Sequence, residues 1–186
     1  MKNKIILILI CFLLFITGCA VNDNPPEKET EPYGKYTANG RIVKIDKDGF
    51  HVEGEDNVGL YKVDMEKNKN FYIGERVRLN SMDGNSYDVE LDEEYDYTAA
   101  MTADIFDEDS KLDLKVGEIS KDEMGRMRIY GLAADNKEYD IIAGADTITN
   151  FAHSTLKVGD NISVYPKDVP NGIPAVVEAK AITVVR

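Results

Sequence analysis

The chain has 186 residues, a net charge of −12 and two cysteines. That length holds one ordinary domain or two small ones. So acidic a balance excludes nucleic-acid binding driven by phosphate contacts, which needs Lys and Arg to displace counterions, and it disfavours lying flat on anionic lipid.

The N-terminus reads MKNKIILILICFLLFITGC. Lys2 and Lys4 make a basic start, and residues 5–16 are an unbroken apolar run. A spanning helix takes roughly 20 such residues, so this run has the length of a secretory signal core. The next residues, Ile16-Thr17-Gly18-Cys19, resemble a bacterial lipobox. That resemblance implies a surface lipoprotein: residues 1–18 are a signal peptide, and Cys19 is acylated and leads the mature chain. The membrane is then a partner through that lipid, on the outer face of a Gram-positive plasma membrane. One acyl chain anchors only marginally, whereas two or more anchor durably. Cys11 leaves with the signal, so the mature chain has no thiol for a disulfide, a metal site or a nucleophile.

Residues 19–38 predict a flexible tether. They carry three prolines, several charges and few apolar side chains, too little to bury for folding.

The remainder repeats. Residues 40–106 lie over residues 117–182 in blocks of constant offset, which divides the chain into domains at 39–110 and 111–186. Gly40, Ile42 and Lys44 match Gly117, Ile119 and Lys121, and Phe50 and Val52 match Met127 and Ile129. Tyr61 and Val63 match Tyr139 and Ile141, while Gly74, Val77 and Leu79 match Gly159, Ile162 and Val164. A fifth block sets Ala99, Ala103 and Phe106 against Ala175, Ala179 and Ile182. Within blocks, apolar and polar residues alternate at period two, as in half-buried strands. Asp48-Gly49 and Met124-Gly125 fall between the first two blocks of each copy, and Asp-Gly there is a strong hairpin signal.

Five short strands in about 70 residues suit a small coiled barrel better than a two-sheet sandwich. The glycine in strand one, the glycine opening strand four and the long gap between strands three and four of the second copy resemble an OB-type barrel. They are also similar to the OB-like domains of unknown function in bacterial surface lipoproteins. The resemblance implies an all-β chain of two tandem barrels and supplies no catalytic residues.

Two gaps differ between the copies. Residues 143–157 of the second copy are expected to hold a short helix that plugs the barrel, with Phe151 and Leu156 inward. Residues 82–98 of the first copy are expected to be an acidic hairpin inserted between strands four and five, of which residues 83–97 should be removable without loss of the fold. That stretch holds Asp83, Asp88, Glu90, Asp92, Glu93, Glu94 and Asp96 among Tyr87, Tyr95 and Tyr97, with no Lys or Arg. Three readings stand: a solvated acidic surface, an oxygen-rich cation site, or a docking surface for a basic partner, with the tyrosines exposed. No EF-hand loop is present, and Asp46-Lys47-Asp48-Gly49 is expected to be the strand one to strand two turn. His51 and His153 stand in different copies with no partner at metal-ligand spacing and are expected to be surface residues. No G-x-S-x-G and no phosphate loop occurs.

The expected function is that of a lipid-anchored extracytoplasmic scaffold without catalysis. It presents two barrels to a protein or envelope component through Tyr87, Asp88, Glu90, Asp92, Glu93, Glu94, Tyr95, Asp96 and Tyr97. No cofactor, catalytic residue, metal ligand or nucleic acid is expected. The alternatives are an envelope hydrolase using paired carboxylates and a calcium-dependent binding module. The hydrolase requires a buried acid of raised pKa in a groove.

Overall fold

The computed structural model describes residues 36–54, 57–81, 83–168, 170–172 and 174–185. The expected signal and lipobox, with Cys19, lie outside them, and residues 34–186 form one compact unit. The described residues fold as strands and turns. The first copy contains β1 (Tyr36–Asp46), β2 (Gly49–Glu53), β3 (Val58–Lys62), β4 (Arg76–Ser81) and β5 (Asp88–Leu91). The second contains β6 (Leu112–Lys121), β7 (Met127–Ala133), β8 (Glu138–Ala143), β9 (Ile148–Thr149), β10 (Asn161–Pro166), β11 (Asn171–Gly172) and β12 (Ala175–Val184). β1 begins at Tyr36, three residues ahead of the expected boundary at 39, because residues 36–39 pair with β4 as far as Ser81.

The second barrel is closed. Its order runs β10-β6-β7-β8-β12, and β12 returns to β10. β8 and β12 pair in parallel, and the other walls are antiparallel. Most inward residues are those the sequence predicts, Met127, Ile129, Ile141, Ile162, Val164 and Ile182, all at most 1 % exposed, but on β6 the buried position is Val116 rather than the expected Ile119, which is partly buried. Full burial of such a side chain stabilises by roughly 1.5–3 kcal/mol. The segment between β8 and β10 forms a 3-10 turn at His153–Thr155, and Phe151 and Leu156 are buried in the core beside it. The plug is as expected.

The first barrel runs β3-β2-β1-β4-β5 around Ile42, Phe50, Val52, Val63, Ile73, Val77 and Leu79. Its seam between β3 and β5 is joined by a single parallel bridge, Val63 to Tyr87, reinforced by the Tyr87 N–H donating to Lys62 O at 2.9 Å.

Strand five of the first copy is therefore not at residues 99–106. It is β5, inside the supposed insertion, where Leu79 stands opposite Val89 and Val77 opposite Leu91. The Asp88-Val89-Glu90-Leu91 alternation was present but submerged in acids. Residues 103–105 instead make a 3-10 turn that seats Ile105 and Phe106 against Tyr165 and Ala181 of the second barrel. An apolar cluster there serves packing between elements rather than a sheet.

The matched glycines Gly74 and Gly159 share one conformation, with φ of +94° and +96°. A side chain is strained there, so both copies need glycine at the entrance to strand four.

Candidate functional site

The β4–β5 turn is tied by short side chains. Ser81 Oγ donates to Ser86 O at 2.6 Å and accepts from Gly84 N at 2.9 Å. Asp83 accepts from the Asn85 N–H at 2.9 Å, and that bond above all holds its carboxyl below the usual range. Beyond the turn, Asp88 and Glu90 project from β5 into solvent, while Val89 and Leu91 face inward. Asn80, Ser81, Asp83, Asp88 and Glu90 line an open groove of about 400 Å³.

The nine residues expected to bind divide into two sets. Asp88, Glu90, Glu93, Glu94 and Asp96 are exposed. Asp92 and Glu94 share Arg78, at 3.5 and 3.0 Å. Asp96 caps its own turn, accepting from the Thr98 hydroxyl at 2.7 Å. The tyrosines are not an exposed cluster. Tyr87 packs edge-on to Tyr61, ring centres 5.1 Å apart. Tyr95 and Tyr97 pack edge-on at 4.9 Å, with the Arg76 guanidinium 4.4 Å over the Tyr95 ring. Aromatic rings fold inward because each removes a large apolar area from water. The Tyr97 hydroxyl is buried without a hydrogen-bond partner. Burial, then the charge of Glu75, pushes its pKa up to about 12.

A second polar cluster joins the two copies. Glu75, 1 % exposed, accepts through Oε1 from the Ser154 N–H at 2.8 Å and the Ser154 hydroxyl at 2.5 Å. Its Oε2 accepts from the Tyr72 N–H at 3.1 Å. Burial raises its pKa against the opposing effect of these donors and Lys121. His153 is not a surface residue: it is 1 % exposed, and its Nδ1 lies 3.0 Å from Ile73 O. A carbonyl accepts only, so Nδ1 carries the proton and Nε2 is bare, buried and without a partner. Burial drops the pKa to about 4. Arg41 Nη1 donates to Ala145 O at 2.7 Å, and the Ile73 N–H donates to Gly125 O at 2.9 Å. Lys121 reaches Lys69 O. These contacts tie the first copy to the second and were invisible in the sequence, since each side chain is remote from its partner along the chain.

His51, the other histidine, is half-buried on β2, its Nε2 3.5 Å from Asp46. Asp46 lies in the expected turn, accepting from the Lys47 N–H at 2.7 Å. Among the described residues no three of His, Cys, Asp or Glu are grouped to hold a metal ion, and no helix is long and apolar enough to cross a membrane. No protein-family model matches the chain, and no curated protein matches it.

Proposed function

We propose that the chain is a lipid-anchored extracytoplasmic binding protein, held at the membrane through Cys19, that presents its two barrels to a basic protein or envelope component and catalyses no reaction. The observation carrying this reading is the carboxylate row on the β5 edge of the first barrel. Asp88 and Glu90 are exposed there beside an open groove, and Glu93 follows them. Complementary charge of this kind steers encounter and fixes register more than it adds raw affinity. The tethered arrangement holds the acidic barrels off an anionic lipid surface.

The paired-carboxylate reading receives less support. Glu75 has the burial and raised pKa it asks for. Both of its oxygens, however, are occupied by Tyr72 and Ser154, which makes it an inter-barrel clamp.

The test is crosslinking capture from intact cells with the triple variant Asp88→Asn, Glu90→Gln, Glu93→Gln. These side chains are exposed, so the thermal midpoint should hold while capture of a basic partner is lost. Undiminished capture overturns the docking surface. Anchoring is tested separately: Cys19→Ser should lose palmitate labelling and leave the membrane fraction.

A further inference from the structure

A pocket of about 120 Å³ lies between the copies, lined among others by Arg41, Arg76, Tyr95, Tyr97, Thr147 and Thr149. A single water needs only about 10–15 Å³, so there is room for a group of several heavy atoms.

The polar groups lining it are unevenly matched. The chain carries 34 acids against 22 Lys and Arg, and most of its described arginines are paired. Arg41 binds Glu53, Arg78 binds Asp92 and Glu94, Arg126 binds Asp122 and Glu178, and Arg128 binds Asp140. Among the described residues, Arg76 has no carboxylate within salt-bridge distance. Its guanidinium is held by one face against Tyr95, and Tyr95 is braced by Tyr97. Stacking occupies the face and leaves the planar fork of N–H donors at the edge. Arg41 Nε and the Tyr97 hydroxyl are buried without partners.

Each of these three groups has a proton to give: the Tyr97 oxygen is faced by the Arg76 backbone N–H, which leaves its O–H as a donor. The hydroxyls of Thr147 and Thr149 are spent on Ala179 O and Phe151 O. The carboxylate lining the pocket, Asp146, is engaged by Lys167 at 2.7 Å. What the pocket lacks is an acceptor-rich, negatively charged group, which a guanidinium fork recognises through paired N–H donors.

We propose that this inter-barrel pocket binds a small oxyanion, the carboxylate or phosphate group of a ligand, with Arg76 as the principal contact and Tyr97 and Arg41 as supporting donors. The site is separate from the β5 carboxylate row and does not depend on membrane anchoring.

Inorganic phosphate and acetate, titrated against chloride at equal ionic strength, test it on the purified full chain. The expected result is saturable binding that shifts the backbone amides of Ala100, Thr147 and Thr149 in NMR spectra. Arg76→Ala should weaken it by about tenfold or more, and Arg76→Lys, which keeps the charge but not the fork, by several-fold. Tyr97→Phe should weaken it while retaining the ring packing. If Arg76→Ala fails to fold, the lysine and phenylalanine variants carry the decision. Undiminished affinity in the folded Arg76 variants, amide shifts confined to other surfaces, or no binding of either anion at about 50 mM would overturn the proposal.

Discussion

Glu75 Oε1 accepts two hydrogen bonds from one residue, Ser154, through its N–H at 2.8 Å and its hydroxyl at 2.5 Å. The pair joins the start of strand four in the first barrel to the plug of the second. A residue of the shared pattern in the first copy thus meets the unshared segment of the second, and the barrels pack as one unit.

Replacing Glu75 should cost more than its place between two strands suggests. Glu75→Ala takes the acceptor away from the part-buried Ser154 and Tyr72 N–H groups and from the Ser154 hydroxyl. Bonds to a charged group contribute roughly 1.5–3 kcal/mol each, and buried donors left alone are costly. Loss of about 3 kcal/mol in urea unfolding is expected, with Glu75→Gln intermediate because its amide offers one acceptor. A change under about 0.5 kcal/mol, the usual range for surface substitutions, would contradict the clamp.

Gly74 and Gly159 separate strain from packing. Both have positive φ, but a Cβ on Gly74 would meet His153 Cε1 at 2.6 Å and Gly144 O at 2.8 Å, whereas one on Gly159 meets nothing within 4 Å. Gly159→Ala should cost about 1–2 kcal/mol, the penalty of the left-handed conformation. Gly74→Ala should cost clearly more. Equal losses in chemical denaturation would place the inter-barrel contact outside the folding energetics.

His153 gives stability a pH slope. Its folded pKa of about 4 lies below the ordinary value of 6.5. Between those values the unfolded chain binds the proton that the folded chain refuses. Stability contributed by the neutral ring is therefore complete above about pH 6.5 and lost as pH falls toward 4. One pKa unit corresponds to 1.36 kcal/mol, so the full loss is about 3 kcal/mol. Glu75, whose folded pKa is raised, opposes this, because the folded chain takes up that proton first as pH falls. Lys121 and Tyr72 beside it keep their charge states through this range. His153→Gln retains an N–H for Ile73 O and removes the titration, so its stability should fall less steeply than the parent's from pH 6.5 to 4. Parallel curves would contradict the assignment.

Deleting residues 83–97 should unfold the first barrel. The segment contains β5, with Val89 and Leu91 opposite Leu79 and Val77, and Tyr87, which makes the bridge to Val63. Loss of cooperative unfolding by circular dichroism is expected, against an unchanged midpoint for the triple carboxylate variant described above. A deletion that melts like the parent would restore the hairpin as a dispensable insertion.

Much of the architecture was legible because barrel walls obey a local rule. A strand buried on one face alternates at period two, so Phe50 and Val52, Val77 and Leu79, and Ile162 and Val164 declare themselves. Gly74 and Gly159 likewise report a backbone angle that belongs to each alone. Strand five of the first copy was misread because β5 is only four residues long and its outward side is acidic, while the apolar residues of 99–106 mimic a strand. Burial was also misjudged for His153, Tyr95 and Tyr97. A ring goes inside or out according to what packs against it, and here that is another barrel or another ring.

The sequence by itself determined the all-β class and the place of most strands, since these follow from nearest-neighbour periodicity and turn chemistry, but not the register of the repeat: Gly40 pairs with Val77 and Leu114 with Ile162, so Ile42 corresponds to Val116 rather than to Ile119. It also carries Ile16-Thr17-Gly18-Cys19, whose resemblance to a lipobox is what the expected anchoring rests on. Only the tertiary structure decided that Glu75 meets Ser154, that His153 is sealed against Ile73, and that Arg76 and Tyr97 face one pocket. Those contacts join residues far apart in the chain, and long-range pairing leaves no period to read.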